Sequence, residues 1–485
     1  MSERIKQLYK EYKNIPTATK AALWFVFCSI LQKCISFITV PIFTRLMPTE
    51  EYGIYSTYLS WYSILTVICT LNLHNCVYIN GVTRAETEEE KDAVAIPLLS
   101  LAATITVICF AIYLIFHQWF NQWMKLPTII VCLIFVQILF EPPVLFWSIK
   151  QRFEYKYISL VICTIAMVVC NSGLGIIFVT LADRNESVAR VISIVLVQII
   201  FGGWFYLYFF KRGKKLFSTE NWKHSLSVSL PLVPHGLSLS ILSSSDRILI
   251  MSLIGASEAA IYSVAYSAGF VVNVLKNSIV DALRPWIYEK IKQKQFVEIR
   301  EKTKPILIIV MAITFLFVAF APEIIAVMAP KEYQDAIYVI PPVAASSFFT
   351  FLYNMFSAVS FYFEKTKKIM YASVSGAIIN LILNFLFIPK FGYIAAAYTT
   401  LFSYMFFSVC HYLIMYKVCQ EELNNVKIFD VKFIFILGIL AILITIGFSF
   451  TYGNLYVRYT IIIVMIVAMI INRKMIKSAF AVIKK

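Results

Sequence analysis

Long apolar stretches separated by short polar segments dominate the chain. Stretches of about 20 apolar residues begin near Ala21, Gly53, Ala93, Thr128, Tyr157, Ala189, Ser227, Ala259, Pro305, Ala336, Ile369, Tyr393, Val431 and Tyr456. A stretch of this length crosses the hydrocarbon core of a bilayer as one helix. The pattern predicts an all-α polytopic membrane protein with about fourteen membrane-spanning helices, which we call spans 1 to 14.

The composition agrees with this pattern. Of the 485 residues, 60% are hydrophobic and 14% are charged, whereas roughly 25% of the residues of a soluble domain are charged. The spans leave no room for a separate catalytic domain, and the sequence has neither a phosphate-binding G-x-x-x-x-G-K-[ST] loop nor a D-x-D pair. The ten cysteines form no C-x-x-C pair. We therefore expect no enzyme activity, no cofactor and no metal site.

Basic residues follow the alternation of the spans. The chain has 43 Lys and Arg residues and a net charge of +16. If the N-terminus is cytoplasmic, 32 of these bases fall in inside segments and 7 in outside segments. The positive-inside rule then predicts that both termini are cytoplasmic, that the 218–223 loop lies inside and that the 182–187 loop lies outside. Because the bases lie in short segments between spans, we expect no nucleic-acid partner.

An internal repeat is visible when the chain is aligned with itself. An offset of 207 residues pairs Glu51 with Glu258, Tyr55 with Tyr262 and Ser56 with Ser263, and an offset of 213 pairs Asn171 with Asn384. The repeat predicts two parallel six-helix lobes, residues 1–215 (spans 1–6) and 216–420 (spans 7–12), followed by spans 13 and 14 in residues 421–485. Parallel lobes related by an axis along the membrane normal are typical of transporters, with the substrate between the lobes.

Polar residues inside the spans supply the candidate chemistry, because a charge at bilayer depth needs a partner or a wet cavity. The candidate substrate-binding residues are Lys33 in span 1, Arg247 in span 7, and Tyr266, Asn273, Lys276 and Arg284 in span 8. Fixed cations suit phosphate, and hydroxyls and rings suit sugars. Proline breaks are also expected in span 7, at Pro231 and Pro234, and in span 10, at Pro341 and Pro342.

Two interpretations of the buried charges stay open. Lys33, Glu141 and Asp246 either pair with one another or snorkel, which is a structural role, or they serve transport. In the second case Glu141 or Asp246 is the group that binds a coupling proton or Na⁺. Four in-membrane bases face three comparable acids, the third being Asp281, and this excess favours a positively charged cavity.

Short motifs in both lobes resemble those of a known family. Pro41 to Leu46, followed by Glu51-Tyr52-Gly53, resembles the junction of the first two helices of the polysaccharide-transporter family, which are lipid-linked oligosaccharide flippases for O-antigen or capsule repeat units within the multidrug/oligosaccharidyl-lipid/polysaccharide exporter superfamily. Leu230-Pro231-Leu232, Ser245-Asp246-Arg247 and the Tyr262–Tyr266 segment resemble the second lobe of that family.

The resemblance implies a fourteen-helix transporter of a bacterial cytoplasmic membrane. Such a protein moves undecaprenyl-diphosphate-linked oligosaccharides to the outer leaflet by alternating access. The implied partners are this lipid, membrane lipids, H⁺ or Na⁺, and a polysaccharide polymerase with its chain-length machinery. A cation-coupled multidrug exporter and a polytopic membrane glycosyltransferase or polymerase are the alternatives.

Overall fold

The computed structural model describes residues 16–212 and 217–472, apart from a few side chains that include that of Lys33. Within these ranges the secondary structure is helical, without strands, which confirms the predicted all-α polytopic membrane fold. The described residues contain nine single helices that are long and apolar enough to cross a membrane, and two further helix pairs that qualify if each bent pair forms one span.

The first half of the described chain forms nine α-helices and one π-helical turn, His74–Tyr78. The helices are α1 (Thr17–Leu46), α2 (Thr49–Thr70), α3 (Ile79–Arg84), α4 (Glu88–Ile115), α5 (His117–Met124), α6 (Thr128–Phe153), α7 (Tyr157–Leu181), α8 (Glu186–Arg212) and α9 (Thr219–Ser229). Spans 1 to 6 correspond to α1, α2, α4, α6, α7 and α8.

The second half forms ten α-helices and a 3-10 helix, Lys331–Tyr338. The helices are α10 (Val233–Leu253), α11 (Ala256–Ala268), α12 (Phe270–Lys292), α13 (Phe296–Ala319), α14 (Ala321–Met328), α15 (Ile340–Tyr362), α16 (Thr366–Phe391), α17 (Tyr393–Glu422), α18 (Val431–Ser449) and α19 (Leu455–Ile471). Spans 7 and 8 are the bent pairs α9–α10 and α11–α12, and spans 9 to 13 are α13, α15, α16, α17 and α18. The segment predicted as span 14 is α19, a shorter apolar helix. Because α1, α2 and α19 are not among the helices that qualify, the described residues support up to eleven of the fourteen predicted spans.

Prolines act differently in the two helices where breaks are predicted. The chain bends by 55° between α9 and α10, on either side of Pro231, which confirms the break in span 7. The prediction for span 10 is wrong, because Pro341 and Pro342 lie in the first turn of α15. A proline there disturbs no helical hydrogen bond, since the first N–H groups of a helix have no intrahelical partner.

The polar segment 218–223 is also more ordered than the predicted loop. Ser218 is the N-cap of α9, and its hydroxyl accepts a hydrogen bond from the Asn221 N–H at 3.3 Å. Such a side-chain cap stabilises the start of a helix. The helix therefore begins at Thr219 and ends at Ser229, two residues before Pro231.

Contacts divide the chain into two compact units. The first unit comprises the described residues up to Met47 together with Leu65–Val233. The second comprises Pro48–Ile64 and the described residues from Pro234 onwards. The beginning of α2 thus belongs to the second unit, although it precedes most of the first unit in the sequence. The division into residues 1–215, 216–420 and 421–485 stays a prediction.

A buried arginine joins three helices of the first unit. Arg190 of α8 is 5% exposed, and its guanidinium lies 4.2 Å from the ring centre of Phe43 in α1. It donates to the carbonyl oxygen of Asn171 in α7 at 2.8 Å and to the Asn171 side-chain oxygen at 2.7 Å. Neutral oxygens and a ring face therefore stabilise this charge, through hydrogen bonds and a cation–π contact.

A second buried charge in the first unit is paired with acids. Lys150 of α6 is fully buried and forms an ion pair with Asp92 of α4. Its ammonium also lies 3.6 Å from the carboxylate of Glu154 and donates to the Tyr208 hydroxyl of α8 at 3.2 Å. A buried charge needs such compensation because leaving water is costly. The network connects α4, α6 and α8.

Close backbone contact in the second unit requires a glycine. A Cβ atom added to Gly53 of α2 would overlap the backbone carbonyl of Ala256, at the start of α11. The neighbouring side chain of Tyr52 is 4% exposed and packs edge-on against the ring of Tyr333 at 6.2 Å. The start of α2 is therefore packed closely against α11 and the 3-10 helix.

Gly53→Val is expected to destabilise the protein by about 1–3 kcal/mol, since overpacking a close contact costs this much. Thermal unfolding of the purified protein in detergent measures the effect. Gly173→Ala in α7 is the matched control, because a Cβ there meets no atom within 4 Å and alanine favours a helix. Equal unfolding temperatures for both variants would contradict the close packing of α2 on α11.

Candidate functional site

A buried carboxylate lies at the centre of a polar cluster in the second unit. Asp246 of α10 is 1% exposed. It accepts hydrogen bonds from the Tyr262 hydroxyl of α11, from the Asn384 amide of α16 at 2.7 Å and from the Thr400 hydroxyl of α17 at 2.7 Å. Four helices therefore each contribute one polar group to the site.

Neighbouring residues on the same helices extend this cluster. Asn380 lies one turn before Asn384, and its side-chain oxygen accepts from the Ser245 hydroxyl at 2.8 Å and from the Asn384 amide at 3.2 Å. The Asn380 amide donates to Thr400 at 3.1 Å, and the Thr399 hydroxyl donates to the Asn384 side-chain oxygen. Carboxylate, amide and hydroxyl oxygens are the ligands that hard cations prefer. A carboxylate in this setting is equally able to take a proton.

Arg247 lies next to this cluster in sequence but has different partners. Its guanidinium lies 4.5 Å from the ring centre of Tyr266 in α11. It donates to the Ser243 carbonyl at 3.2 Å and to the Ser60 hydroxyl of α2 at 3.5 Å. Within the described ranges, no carboxylate lies at ion-pair distance from this guanidinium. Asp246 and Arg247 thus do not form an ion pair.

Lys276 of α12 is a second base, and it has a neutral hydrogen-bond partner. It is 5% exposed, and its ammonium donates to the side-chain oxygen of Asn273 at 2.7 Å. The Ser347 hydroxyl of α15 donates to the same oxygen at 3.4 Å. Arg284, two turns further along α12, is half-buried. Neither base has a carboxylate at ion-pair distance among the residues that the structure describes.

Four of the six candidate substrate-binding residues form two contacting pairs in the second unit. Tyr266 contacts Arg247, and Asn273 contacts Lys276, but these two pairs share no residue. Lys33 lies on α1 in the first unit, and its side chain is outside the described residues. Of the two ion-coupling candidates, Glu141 is half-buried in α6 of the first unit and Asp246 lies in the second unit.

Sequence reasoning missed the residues that surround Asp246. Asn380, Asn384, Thr399 and Thr400 are all buried polar residues. A signal existed, because Asn380 and Asn384 are four residues apart in an apolar stretch and therefore share one helix face. Asn384 was also one of the positions that the repeat aligned. Nothing in the sequence indicated that this face meets Asp246.

Comparison with known proteins agrees with these features. Residues 18–291 match the family model described as "Polysaccharide biosynthesis protein". The chain belongs to this family. Residues 231–386, which contain Asp246, Arg247 and both asparagines, also match the MatE model. The family membership confirms the resemblance that the motifs indicated.

Two proteins similar to this member of the polysaccharide biosynthesis family share little sequence with it. A protein of the Lsg locus of Haemophilus influenzae is 22% identical over 373 residues, which are 74% of this chain and 88% of the relative. The solved structure of "Lipid II flippase MurJ, inward closed conformation" is 14% identical with a TM-score of 0.63, over 94% of this chain and 100% of MurJ.

An inward-facing multidrug resistance MATE family transporter of the MOP superfamily has a similar fold. It is 14% identical with a TM-score of 0.59, over 80% of this chain and 95% of that transporter. The family model and these folds together show a multi-pass membrane protein of the polysaccharide biosynthesis family whose fold resembles that of these two solved structures. The two solved structures named here are those of a flippase and a transporter.

Proposed function

We propose that this protein moves undecaprenyl-diphosphate-linked oligosaccharide repeat units from the cytoplasmic to the outer leaflet by alternating access. The observation that carries the proposal is that Arg247 of α10 and Lys276 and Arg284 of α12, all in the second unit, have no carboxylate at ion-pair distance among the described residues. A diphosphate must leave water to cross a membrane, and fixed cations replace its hydration.

The neighbours of these bases suit the rest of such a substrate. The Arg247 guanidinium lies over the ring of Tyr266, and the Asn273 side-chain oxygen accepts hydrogen bonds from both the Lys276 ammonium and the Ser347 hydroxyl. Rings stack on the apolar faces of sugars, and amide and hydroxyl groups bond to sugar hydroxyls. Arg247 is the residue best suited to the diphosphate, since a guanidinium donates two parallel hydrogen bonds to phosphate oxygens.

Asp246 is the proposed ion-coupling residue, and H⁺ or Na⁺ is the proposed ion. Its carboxylate accepts hydrogen bonds from the Asn384 amide nitrogen and the Thr400 hydroxyl, and the Asn384 oxygen accepts from Thr399 in the same network. Carboxylate, amide and hydroxyl oxygens are ligands that a small cation prefers. Glu141 stays an alternative in the first unit. Since ion binding would replace hydrogen bonds that join four helices, occupancy would alter the packing of α10 against α16 and α17.

A cation-coupled multidrug exporter is the second candidate function. The observation that favours it is the MatE match, which covers the carboxylate of Asp246. An exporter of cationic drugs is expected to offer them acids, whereas the half-buried and buried bases of α10 and α12 would repel them. This difference in charge is why we favour a lipid diphosphate as the substrate.

The decisive experiment is mass spectrometry of the lipids that accumulate when the gene is deleted. We expect complete lipid-linked repeat units on the inner leaflet, because synthesis continues while translocation stops. Truncated units would indicate a glycosyltransferase or polymerase instead. Altered drug sensitivity with normal surface polysaccharide would indicate a multidrug exporter. A polymerase and its chain-length machinery are the proposed protein partners that use the exported unit.

The proposed orientation has both termini in the cytoplasm of a bacterial cell. It predicts that a cysteine at Asn185 reacts with an impermeant reagent added from outside, and that a cysteine at Glu220 reacts only from the cytoplasmic side. Both residues are exposed at helix starts. Labelling in a background without native cysteines measures this. Reaction of Asn185→Cys only from the cytoplasm would reverse the orientation.

A further inference from the structure

A second titratable group is buried in the second unit, apart from Asp246. His411 of α17 is fully buried between two rings, with centre-to-centre distances of 4.6 Å to Tyr353 of α15 and 4.6 Å to Phe407. Neither ring nitrogen has a hydrogen-bond partner among the described residues. A neutral imidazole has one donor and one acceptor, and leaving both buried and unpaired is unusual enough to require an explanation.

Another histidine accompanies it. His235 of α10 is half-buried, and its Nδ1 lies 2.8 Å from the Ser373 hydroxyl of α16. Its ring centre lies 6.4 Å from that of Phe361 in α15, so both histidines pack against α15. His235 precedes Asp246 by eleven residues on the same helix, which is about three turns. The histidine pair and the carboxylate cluster therefore occupy different levels of α10 and α17.

The groups around the pair do not supply a compensating negative charge. The titratable and charged groups on the surrounding elements are Tyr353 of α15, Tyr404 and Cys410 of α17, and Arg284 of α12, which interacts electrostatically with Tyr353. The hydroxyl of Ser373 is the polar group of α16 at His235. No acid lies at ion-pair distance from either histidine among the described residues.

A proton on His411 is thus incompatible with the packing seen here. The imidazolium would be enclosed by rings, without an anion and with Arg284 and His235 nearby, and a buried unpaired charge is costly. If α15 and α17 separate, water reaches the ring and solvates the charge. Whatever binds one conformation better than another shifts the population toward it. A proton would therefore favour the open packing of this unit.

We propose that His411 and His235 form a proton-binding site in the second unit, separate from Asp246, and that protonation of this site drives α15 and α17 apart. The step is the transfer of one proton from water to an imidazole nitrogen, with no other bond changed. The proposal rests on the proposed function, since it assumes that this unit changes conformation during transport. It assigns to these histidines a protonation step that is separate from ion binding at Asp246.

The test measures the spacing of α15 and α17 as the pH changes. Spin labels at Glu364→Cys and Gln420→Cys, both exposed near the ends of these helices, report distance distributions in nanodiscs in a background without native cysteines. Between about pH 8 and pH 5, where histidines titrate, the wild type is expected to shift toward longer distances. One linked proton changes the population ratio by at most about tenfold per pH unit.

His411→Gln is expected to abolish this shift and hold the short distances, because glutamine stays neutral. His235→Gln is expected to weaken the shift. His224→Gln, at an exposed position of α9, is the matched control and should respond like the wild type. A full shift in His411→Gln would overturn the proposal.

Nitrogen NMR of isotope-labelled histidine rings measures proton uptake in the wild-type protein. This measurement therefore does not depend on whether His411→Gln folds. The chain has five histidines, so their resonances can be assigned by single substitutions. In the wild type, the ring of His411 should take up a proton over the same pH range as the distance change. Protonation without a change in distance would also overturn the proposal. Neither measurement uses the lipid substrate. Both results are therefore independent of whether the protein moves a lipid diphosphate or a drug.

Discussion

Arg247→Ala is expected to reduce lipid-linked oligosaccharide translocation at least about tenfold, with normal amounts of protein in the membrane. Each charge-assisted hydrogen bond contributes roughly 1.5–3 kcal/mol, and a guanidinium offers two of them to a diphosphate. Arg247→Lys should restore only part of the activity, because an ammonium keeps the charge but not the planar pair of donors. Transport of labelled lipid into the outer leaflet of proteoliposomes measures the rates.

Arg300→Ala is the matched control for this prediction. Arg300 belongs to the same unit, but its guanidinium donates to the backbone carbonyl of Lys427 at the end of the bundle. Its replacement should leave translocation near the wild-type rate. The double variant Arg247→Ala with Asp246→Ala separates substrate binding from charge neutralisation. Recovery of transport in the double variant would mean that Arg247 merely balances the acid.

Asp246→Ala is expected to lower the stability of the second unit as well as transport. The change leaves Tyr262, Asn384 and Thr400 without their common acceptor, and each buried unsatisfied donor costs about 1–3 kcal/mol. The expected destabilisation is therefore several kcal/mol. Thermal unfolding of the purified protein should show a clear decrease in the midpoint temperature.

Asp246→Asn separates stability from ion coupling. Asparagine has nearly the same volume and keeps one oxygen acceptor, so the fold should survive better than with alanine. It has no charge to attract a cation, and transport should become independent of a Na⁺ or H⁺ gradient or cease. Asp281→Asn is the control, since Asp281 is exposed on α12. Gradient-dependent transport at the wild-type level in Asp246→Asn would exclude this carboxylate as the coupling group.

The sequence predicts the helices well because the bilayer imposes their length. A span needs about 20 apolar residues, and proline removes a backbone donor, so the apolar runs and the break at Pro231 can be read directly. Pro341 and Pro342 show the limit of this reasoning. The cost of a proline depends on its position within the helix, and the exact start of α15 is not apparent from hydrophobicity.

The sequence predicts less of the site than of the fold, because the hydrogen-bond partners of Asp246 are far from it in the chain. Asp246 and Arg247 stand out as charges in an apolar run. Asn384 and Thr400 are 138 and 154 residues away from Asp246, and uncharged polar residues in a span look like ordinary packing residues. The assignment of Pro48–Ile64 to the second unit is likewise a property of tertiary contacts, which local patterns do not contain.

Asn171 and Asn384, which the predicted repeat aligns, have opposite hydrogen-bonding roles. In the first unit, the side-chain oxygen of Asn171 accepts a hydrogen bond from the cation of Arg190. In the second, the amide nitrogen of Asn384 donates to the anion of Asp246. A carboxamide serves either charge by rotating about its last bond. If the predicted repeat arose by duplication, the sign of the buried charge next to the asparagine was inverted by substitutions elsewhere, while the asparagine itself was retained.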